Sequence, residues 1–336
     1  MKKNSILYIC LLCASVLMFQ SCKNDDWSFP DYDHSAVYFA YQYPVRTIVL
    51  GEDNNFDTSL DNAHQCEIYA VLSGMYSNGN KVGIEFSVDN ALCNNLTFED
   101  GTPVKAMPTE YYSLAANQIF LDKTMSGAVK VQLNDAFFAD AAALTNTYVI
   151  PLRMTGVAGA DSILQGTPKT ANAVRTNPAD WDVAAKDYVL YCIKFINPWT
   201  GTYLRRGVDM VSGNGQTKTT VRHKKSVEDD DLISTTTKSM KSIMLPFSSA
   251  CNLLLTFDDN NNCTVASATS GFTATGKGTF VKAGEKKSWG NKDRDALYLD
   301  YQVTANGTTT ATKDTLVVRD RGIKGIETFS PTYTSK

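Results

Sequence analysis

An all-β chain of two domains, a β-sandwich followed by a small closed antiparallel barrel, is what the sequence predicts. Three observations carry the prediction. Short apolar runs recur at close spacing, punctuated by Gly, Asn and Pro. The chain holds 16 Tyr and 15 Phe, residue types that suit a pleated, half-buried surface. Several runs alternate with period two, most clearly Val82, Ile84, Phe86 and Val88 against Gly83, Glu85 and Ser87. A length of 336 residues is long for one domain and natural for two.

The elements are taken in chain order. Met1-Lys2-Lys3 gives a positive start, and Ile6 to Phe19 is almost wholly apolar. Such a run suits a signal peptide and is shorter than the roughly 20 residues a membrane-spanning helix needs. Gln20-Ser21-Cys22 follows at once and resembles a bacterial lipobox, although Phe19 stands where many examples carry Leu. The resemblance implies cleavage before Cys22 and lipidation of its thiol, with residues 1–21 as the leader. Lys23, Asp25 and Asp26 resemble the short signal that sends lipoproteins of glycan-degrading gut anaerobes to the outer face of the outer membrane. Residues 22–34 read as a tether, and the membrane is expected to be met through the lipid alone.

Residues 35–197 are expected to form the sandwich. Ala36 to Tyr41, Val45 to Leu50, Gln65 to Leu72 and Val82 to Val88 are strand candidates, with Asn78-Gly79 as a turn signal. Tyr112 to Leu114, Ile119 to Leu121, Val129 to Leu133 and Tyr148 to Met154 continue the series, and Phe137 to Leu144 suits a short helix. Residues 165–182 are rich in Gly, Pro, Thr and Asn and read as a loop. Asp187 to Ile196 is apolar on both faces, which predicts a central strand. Asn197-Pro198 then punctuates the chain, and the domain boundary is placed there.

Residues 198–336 are expected to form the barrel. The strand candidates are Gly201 to Arg206, Lys218 to His223, Ser242 to Pro246, Asn252 to Phe257, Cys263 to Ala268, Gly278 to Lys282, Ala296 to Thr304 and Thr315 to Arg319. Asp258 to Asn262 is a polar turn that predicts a hairpin. About eight antiparallel strands in one domain favour closure, which removes exposed edges.

Several of these segments carry a family resemblance. Met107 to Leu114, Gly127 to Val131 and Tyr148-Val149-Ile150-Pro151-Leu152 resemble the DUF1735-type domain of surface lipoproteins from glycan-degrading gut anaerobes. Tyr191 to Tyr203, with Asn197-Pro198-Trp199-Thr200-Gly201 at its centre, resembles the junction to a lipocalin-like C-terminal domain. The resemblance implies an Ig-like β-sandwich followed by a lipocalin-like antiparallel β-barrel. It also implies carbohydrate handling at the cell surface beside outer-membrane glycan-uptake proteins. Fold and neighbourhood do not by themselves fix function.

The residues themselves favour binding over catalysis. His34, His64 and His223 are scattered, and no nucleophile-elbow, zinc-helix or phosphate-loop pattern occurs. The acidic groups Asp229-Asp230-Asp231, Asp258-Asp259 and Asp293/Asp295 lie in polar, turn-like stretches. Asp258 to Asn262 departs from the EF-hand spacing, so no metal is expected there. Once the leader and Cys22 are set aside, Cys66, Cys93, Cys192, Cys251 and Cys263 remain. Five is an odd number without C-x-x-C spacing, which predicts buried free thiols and no redox motif, while a Cys66–Cys93 bridge stays open because spacing does not decide it. A net charge of −3 without a basic stripe makes nucleic acid a poor partner. No cofactor signature occurs.

Sugar rings present apolar C–H faces, for which an exposed aromatic ring is a flat partner. Of the tryptophans, Trp27 lies in the tether and Trp199 sits where the barrel's opening strand would pack its core. Trp181 and Trp289 lie in polar loops. Lys286 to Arg294 gathers Trp289 with Asn291, Asp293 and Arg294, an aromatic beside hydrogen-bonding groups. The expected ligand is therefore a polysaccharide or oligosaccharide, held at Trp289 and Trp181. The alternative is a structural or protein-interaction lipoprotein with no sugar site.

Overall fold

The computed structural model describes residues 31–323 and 327–335. The leader, Cys22, Lys23, Asp25, Asp26 and Trp27 lie outside the described residues. Among those described, no helix is long and apolar enough to cross a membrane. The fold is all-β, a sandwich followed by a barrel.

Two sheets make the sandwich. One has the order Ser162–Ile163, Ala36–Tyr38, Gln65–Ser73, Ser126–Leu133, Tyr112–Leu114. The other has the order Glu327–Thr328, Pro44–Val49, Tyr188–Ile196, Tyr148–Ala158, Lys81–Val88, Gln118–Asp122. Tyr188–Ile196 is central, parallel to Pro44–Val49 and antiparallel to Tyr148–Ala158. Its two apolar faces then have separate uses. Val189, Ile193 and Phe195 pack between the sheets with Ile68, Ile84 and Ile150. Tyr188, Leu190 and Cys192 face outward, into a third layer with Leu92, Phe98, Trp181 and Phe329. The expected short helix is a helical turn at Asp135–Ala139 followed by a 3-10 turn at Ala141–Leu144.

Two expectations are corrected here. Asn78-Gly79 is not a tight hairpin turn, because the strands on either side of it belong to different sheets. Asn78 instead spans the crossing, donating to Leu121 O and Thr124 O and accepting from Asn80 N. The second correction concerns the chain's end. Residues 198–336 are not all barrel: Glu327–Thr328 adds to the edge of Pro44–Val49, and Thr332–Tyr333 pairs with Leu96–Thr97. Phe329 between them is buried among Tyr43 and Phe98 of the sandwich. Burial of that ring draws the tail back across the boundary.

The barrel is a meander of eight strands. Thr202–Gly213, Ser242–Ser248, Cys251–Phe257, Asn262–Ser267, Thr273–Trp289, Lys292–Ala305 and Thr308–Asp320 supply seven, and the last pairs back to the first. The eighth is broken in two. Asp231–Ser234 pairs with Thr202 to Arg205, and Thr236–Ser239 pairs with Ser242 to Met244. Thr235 at the break keeps its polar groups satisfied: its N–H donates to Gly201 O and its hydroxyl to Trp199 O. Eight strands leave room for side chains and little else, and Tyr203, Ile243, Leu245, Leu253, Leu255 and Phe257 fill the interior. Two-residue turns with positive φ at both positions connect the long strands at Asn214-Gly215, Gly290-Asn291 and Asn306-Gly307. Gln216–Arg222 pairs with the outer half of Thr202–Gly213 and stands at the sheet's edge.

Candidate functional site

The structure separates the sequence candidates. Trp181 is only 8% exposed, in the third layer of the sandwich, and its indole N–H donates to Val174 O at 2.8 Å. It is therefore core and offers no face to a ligand. The outer face of the central sheet needed a cover, and Trp181 supplies part of it. Trp199 stacks on Phe257 with ring centres 4.0 Å apart, inside the barrel. Trp289 is half-buried, at the end of strand Thr273–Trp289, with the Arg319 guanidinium 5.4 Å from its ring centre. A cation over an indole face fixes the ring's pose.

The rest of the segment is a hairpin whose bulges are held by its own carboxylates. The register shifts between Val281 and Glu285 and again before Trp289, and Ala283 and Lys287 adopt positive φ. Non-glycine residues are uncommon in that region and need support. Asp295 accepts from Ala283 N at 2.8 Å, and Asp293 accepts from Lys287 N at 3.0 Å. Asp293 also accepts from Lys286 Nζ, which holds its carboxyl below the ordinary range. Arg294 is buried and donates to Trp289 O at 3.3 Å. Asp293 and Arg294 are thus positioning residues and not free hydrogen-bonding groups, a correction to the expectation for both. Asn291 is exposed at the turn.

The structure adds a neighbour that the sequence did not announce. The turn Val227–Asp229 docks on the hairpin tip, where Glu228 accepts from Gly290 N at 3.0 Å. Between them lies a shallow cleft of about 380 Å³, lined by Glu228, Lys286, Lys287, Ser288 and Asn291. Lys224-Lys225 beside Glu228 to Asp231 reads in sequence as a solvated loop. Its 3-10 turn, capped by the Ser226 hydroxyl, was the only local signal of order.

Residues 198–322 match the domain of unknown function DUF5627, and a model of an N-terminal domain matches residues 32–161. A solved Bacteroides ovatus protein of unknown function is 44% identical, with a TM-score of 0.85, covering 91% of this chain and 100% of its own. This chain belongs to the same family as that protein. A multidomain Bacteroides ovatus protein that includes DUF1735 is 10% identical at a TM-score of 0.40, covering 88% of this chain and 100% of its own. An auxiliary nutrient binding protein from Bacteroides thetaiotaomicron is 14% identical at a TM-score of 0.36, covering 82% of this chain and 90% of its own. At those scores neither likeness bears on function. No curated protein matches the chain.

Within this family member the other chemistry-bearing groups are spent on structure. His34 meets the Ser162 hydroxyl, His64 lies against Phe138, and His223 meets Lys224 O. Among the described residues no group of His, Cys, Asp and Glu is placed to hold a metal. Asp258 accepts from Asn260 N and Asn262 N and shapes its own turn. The five described cysteines are free and buried. Cys66 faces the core between the sheets and Cys93 the third layer, so the two do not meet. Burial pushes the thiols of Cys66, Cys93, Cys192 and Cys263 up to about 12.

One ionic cluster, centred on the buried Asp314, was not legible in the sequence. Arg205 forks onto Asp314 with its closest contact at 2.8 Å, and Arg222 bridges Asp314 and Asp209. Tyr301 and Thr312 donate to the same two carboxylates. Five of the six sit on strands of the barrel, and Arg222 sits on the edge strand Gln216–Arg222. Pairing and hydrogen bonding are what make such burial tolerable.

Proposed function

We propose that this protein is a non-catalytic surface lipoprotein that binds glycan in support of polysaccharide capture and uptake. The observation that carries the reading is the hairpin tip. Trp289 stands half-exposed on a braced strand end, next in the chain to Ser288 of a cleft whose other lining residues, Glu228, Lys286, Lys287 and Asn291, offer hydrogen-bonding groups to sugar hydroxyls. The indole gives the C–H face an apolar partner. A cleft this shallow binds weakly, and many copies on one surface raise avidity.

The setting rests on the N-terminus. Cys22 carries the lipid, and Lys23, Asp25 and Asp26 direct the protein to the outer face of the outer membrane. More than one acyl chain gives stable anchoring. The sandwich is of DUF1735 type and the barrel lipocalin-like, and outer-membrane glycan-uptake proteins are the neighbours. Incorporation of labelled palmitate that Cys22→Ser abolishes is the test of the anchor. Affinity electrophoresis through a broad polysaccharide panel tests the binding. The purified chain is retarded in at least one gel, and Trp289→Ala removes most of that retardation. Free migration through every gel ends the glycan reading.

A protein-interaction role is the second reading, and one feature favours it. Val208 and Val221 face each other across the ladder at 38% and 61% exposure, with Met210 at 48% beside them. Val221 lies in the edge strand Gln216–Arg222, a template for strand addition, and Val208 and Met210 lie on the strand paired with it. In cells, cross-linking to a membrane protein that Val221→Lys abolishes is its expected mark.

A further inference from the structure

The groove between the two domains has a chemistry of its own. Its sandwich wall is the helical turn Asp135–Ala139 and the 3-10 turn Ala141–Leu144, and its barrel wall is residues 238–241. The volume is about 410 Å³, within the range of about 300–1,000 Å³ common for small-molecule sites, which favour domain junctions. Phe138, Phe195, Leu144 and Met240 form an apolar floor. The Phe138 ring is fixed, 5.1 Å from Phe195 and 4.1 Å from His64.

The rim carries both signs of charge. Asp135 and Asp140 stand on the sandwich side, Lys238 and Lys241 on the barrel side. Asp140 accepts from Tyr148 at 2.7 Å, from Ala142 N at 2.9 Å and from Tyr111 at 3.1 Å. The Tyr148 bond leads in holding its carboxyl below the ordinary range, so it stays charged. Lys241 pairs with Asp259 at 2.7 Å, but both groups are exposed and such pairs exchange readily.

We propose that this groove binds a neutral hydroxylated ring, a single sugar unit of an oligosaccharide. The rim disfavours any ligand of one net charge. An anion there meets two carboxylates, and a cation meets two ammonium groups. A wholly apolar ligand strips water from all four charges with nothing in return. A neutral ring with hydroxyls on its edge and C–H groups on its face covers the floor, gives Asp135, Lys238 and Lys241 partners and leaves Asp140 with its three donors. The site goes beyond the hairpin reading, since it shares no residue with the Trp289 cleft and neither needs the other. Asn197, just past the central sandwich strand, donates to Ser239 O and Ser242 O of the barrel and so ties the two walls together.

Methionine-methyl NMR of the whole chain tests the proposal through Met240. The probes are a panel of neutral hexose and pentose oligosaccharides, with digalacturonate as the anionic control. At least one neutral probe shifts the Met240 methyl saturably, and digalacturonate at the same concentration leaves it unmoved. Ala141→Trp, a change at an exposed position on the wall, weakens that binding at least tenfold, whereas Trp289→Ala does not. A Met240 resonance silent across the panel overturns the groove, as does an equal response to digalacturonate. Silence at Met240 with polysaccharide retardation still dependent on Trp289 refutes the groove alone. A Met240 response without any Trp289 dependence refutes the hairpin alone.

Discussion

Arg321 Nη2 donates to Leu50 O at 3.1 Å, so a residue that follows the last barrel strand is hydrogen-bonded to the sandwich. The same guanidinium donates to Glu52 O at 3.1 Å, to Asn197 O at 2.6 Å and to Thr200 O at 2.5 Å. No carboxylate is among these partners, and burial lowers its pKa from the ordinary arginine value. A charge held by four carbonyls ties both domains to the linker that joins them.

Arg321→Met removes every one of those donors and leaves buried carbonyls unpaired. A loss of about 3 kcal/mol is expected, at about 1–3 kcal/mol per buried group left unsatisfied and with part of the loss relieved by removing a buried charge. Arg321→Lys recovers only a fraction, because one ammonium does not span a fork of four acceptors. Chemical denaturation measures both. A wild-type midpoint for Arg321→Met means that the junction is held by something else.

Trp181 and Trp289 are expected to part company. Trp181→Ala opens the third layer and destabilises the sandwich by about 3–5 kcal/mol, with polysaccharide retardation unchanged below the new melting point. Trp289→Ala moves the melting temperature little and removes retardation. The same pattern for both variants contradicts the separation.

The C-terminal tail belongs energetically to the sandwich. Phe329 is 5% exposed, with ring centres 4.8 Å from Phe98 and 5.4 Å from Tyr43. Phe329→Ala is expected to cost about 3–5 kcal/mol. The loss falls on the sandwich and is read by the fluorescence of Trp181, not by amide exchange in the barrel strands. Faster exchange in the barrel strands alone assigns the tail to the wrong domain.

Acid acts on the ionic cluster. Burial works against the charged form of Asp209, but the Arg222 hydrogen bond and charge override it and leave the carboxyl below its ordinary value. A carboxyl whose folded pKa is lowered adds stability above its unfolded pKa, about 3.9. That stability is lost as the pH falls through the lower, folded value. Barrel stability is therefore expected to decline below about pH 4, and Asp209→Asn to flatten that slope. An unchanged slope in Asp209→Asn removes Asp209 from the account.

Much of this fold is written in local patterns. Val82 to Val88 and Tyr188–Ile196 reveal strand, face and depth because one-sided and two-sided burial demand different periodicities. Gly201 to Arg206 and Thr315 to Arg319 fell short of the observed Thr202–Gly213 and Thr308–Asp320, whose outer halves alternate Thr, Ser and Asp with apolar residues and end at the Asn214-Gly215 and Asn306-Gly307 turns. Asp231–Ser239 was not legible. It closes the barrel, yet its Thr, Ser and Lys content is that of a loop. Ladder hydrogen bonds hold it, and these use backbone groups that every residue carries.

The sequence by itself determined that this chain is all-β and where its central strand lies. Both follow from residue type and spacing along the chain. Tertiary structure alone decided that Trp181 is core and Trp289 is not, that Asp293 and Arg294 brace a bulge, and that a groove with a rim of both charges opens between the domains. Burial and charge pairing are settled by groups far apart in sequence, such as Arg321 and Leu50, and no local pattern encodes their meeting.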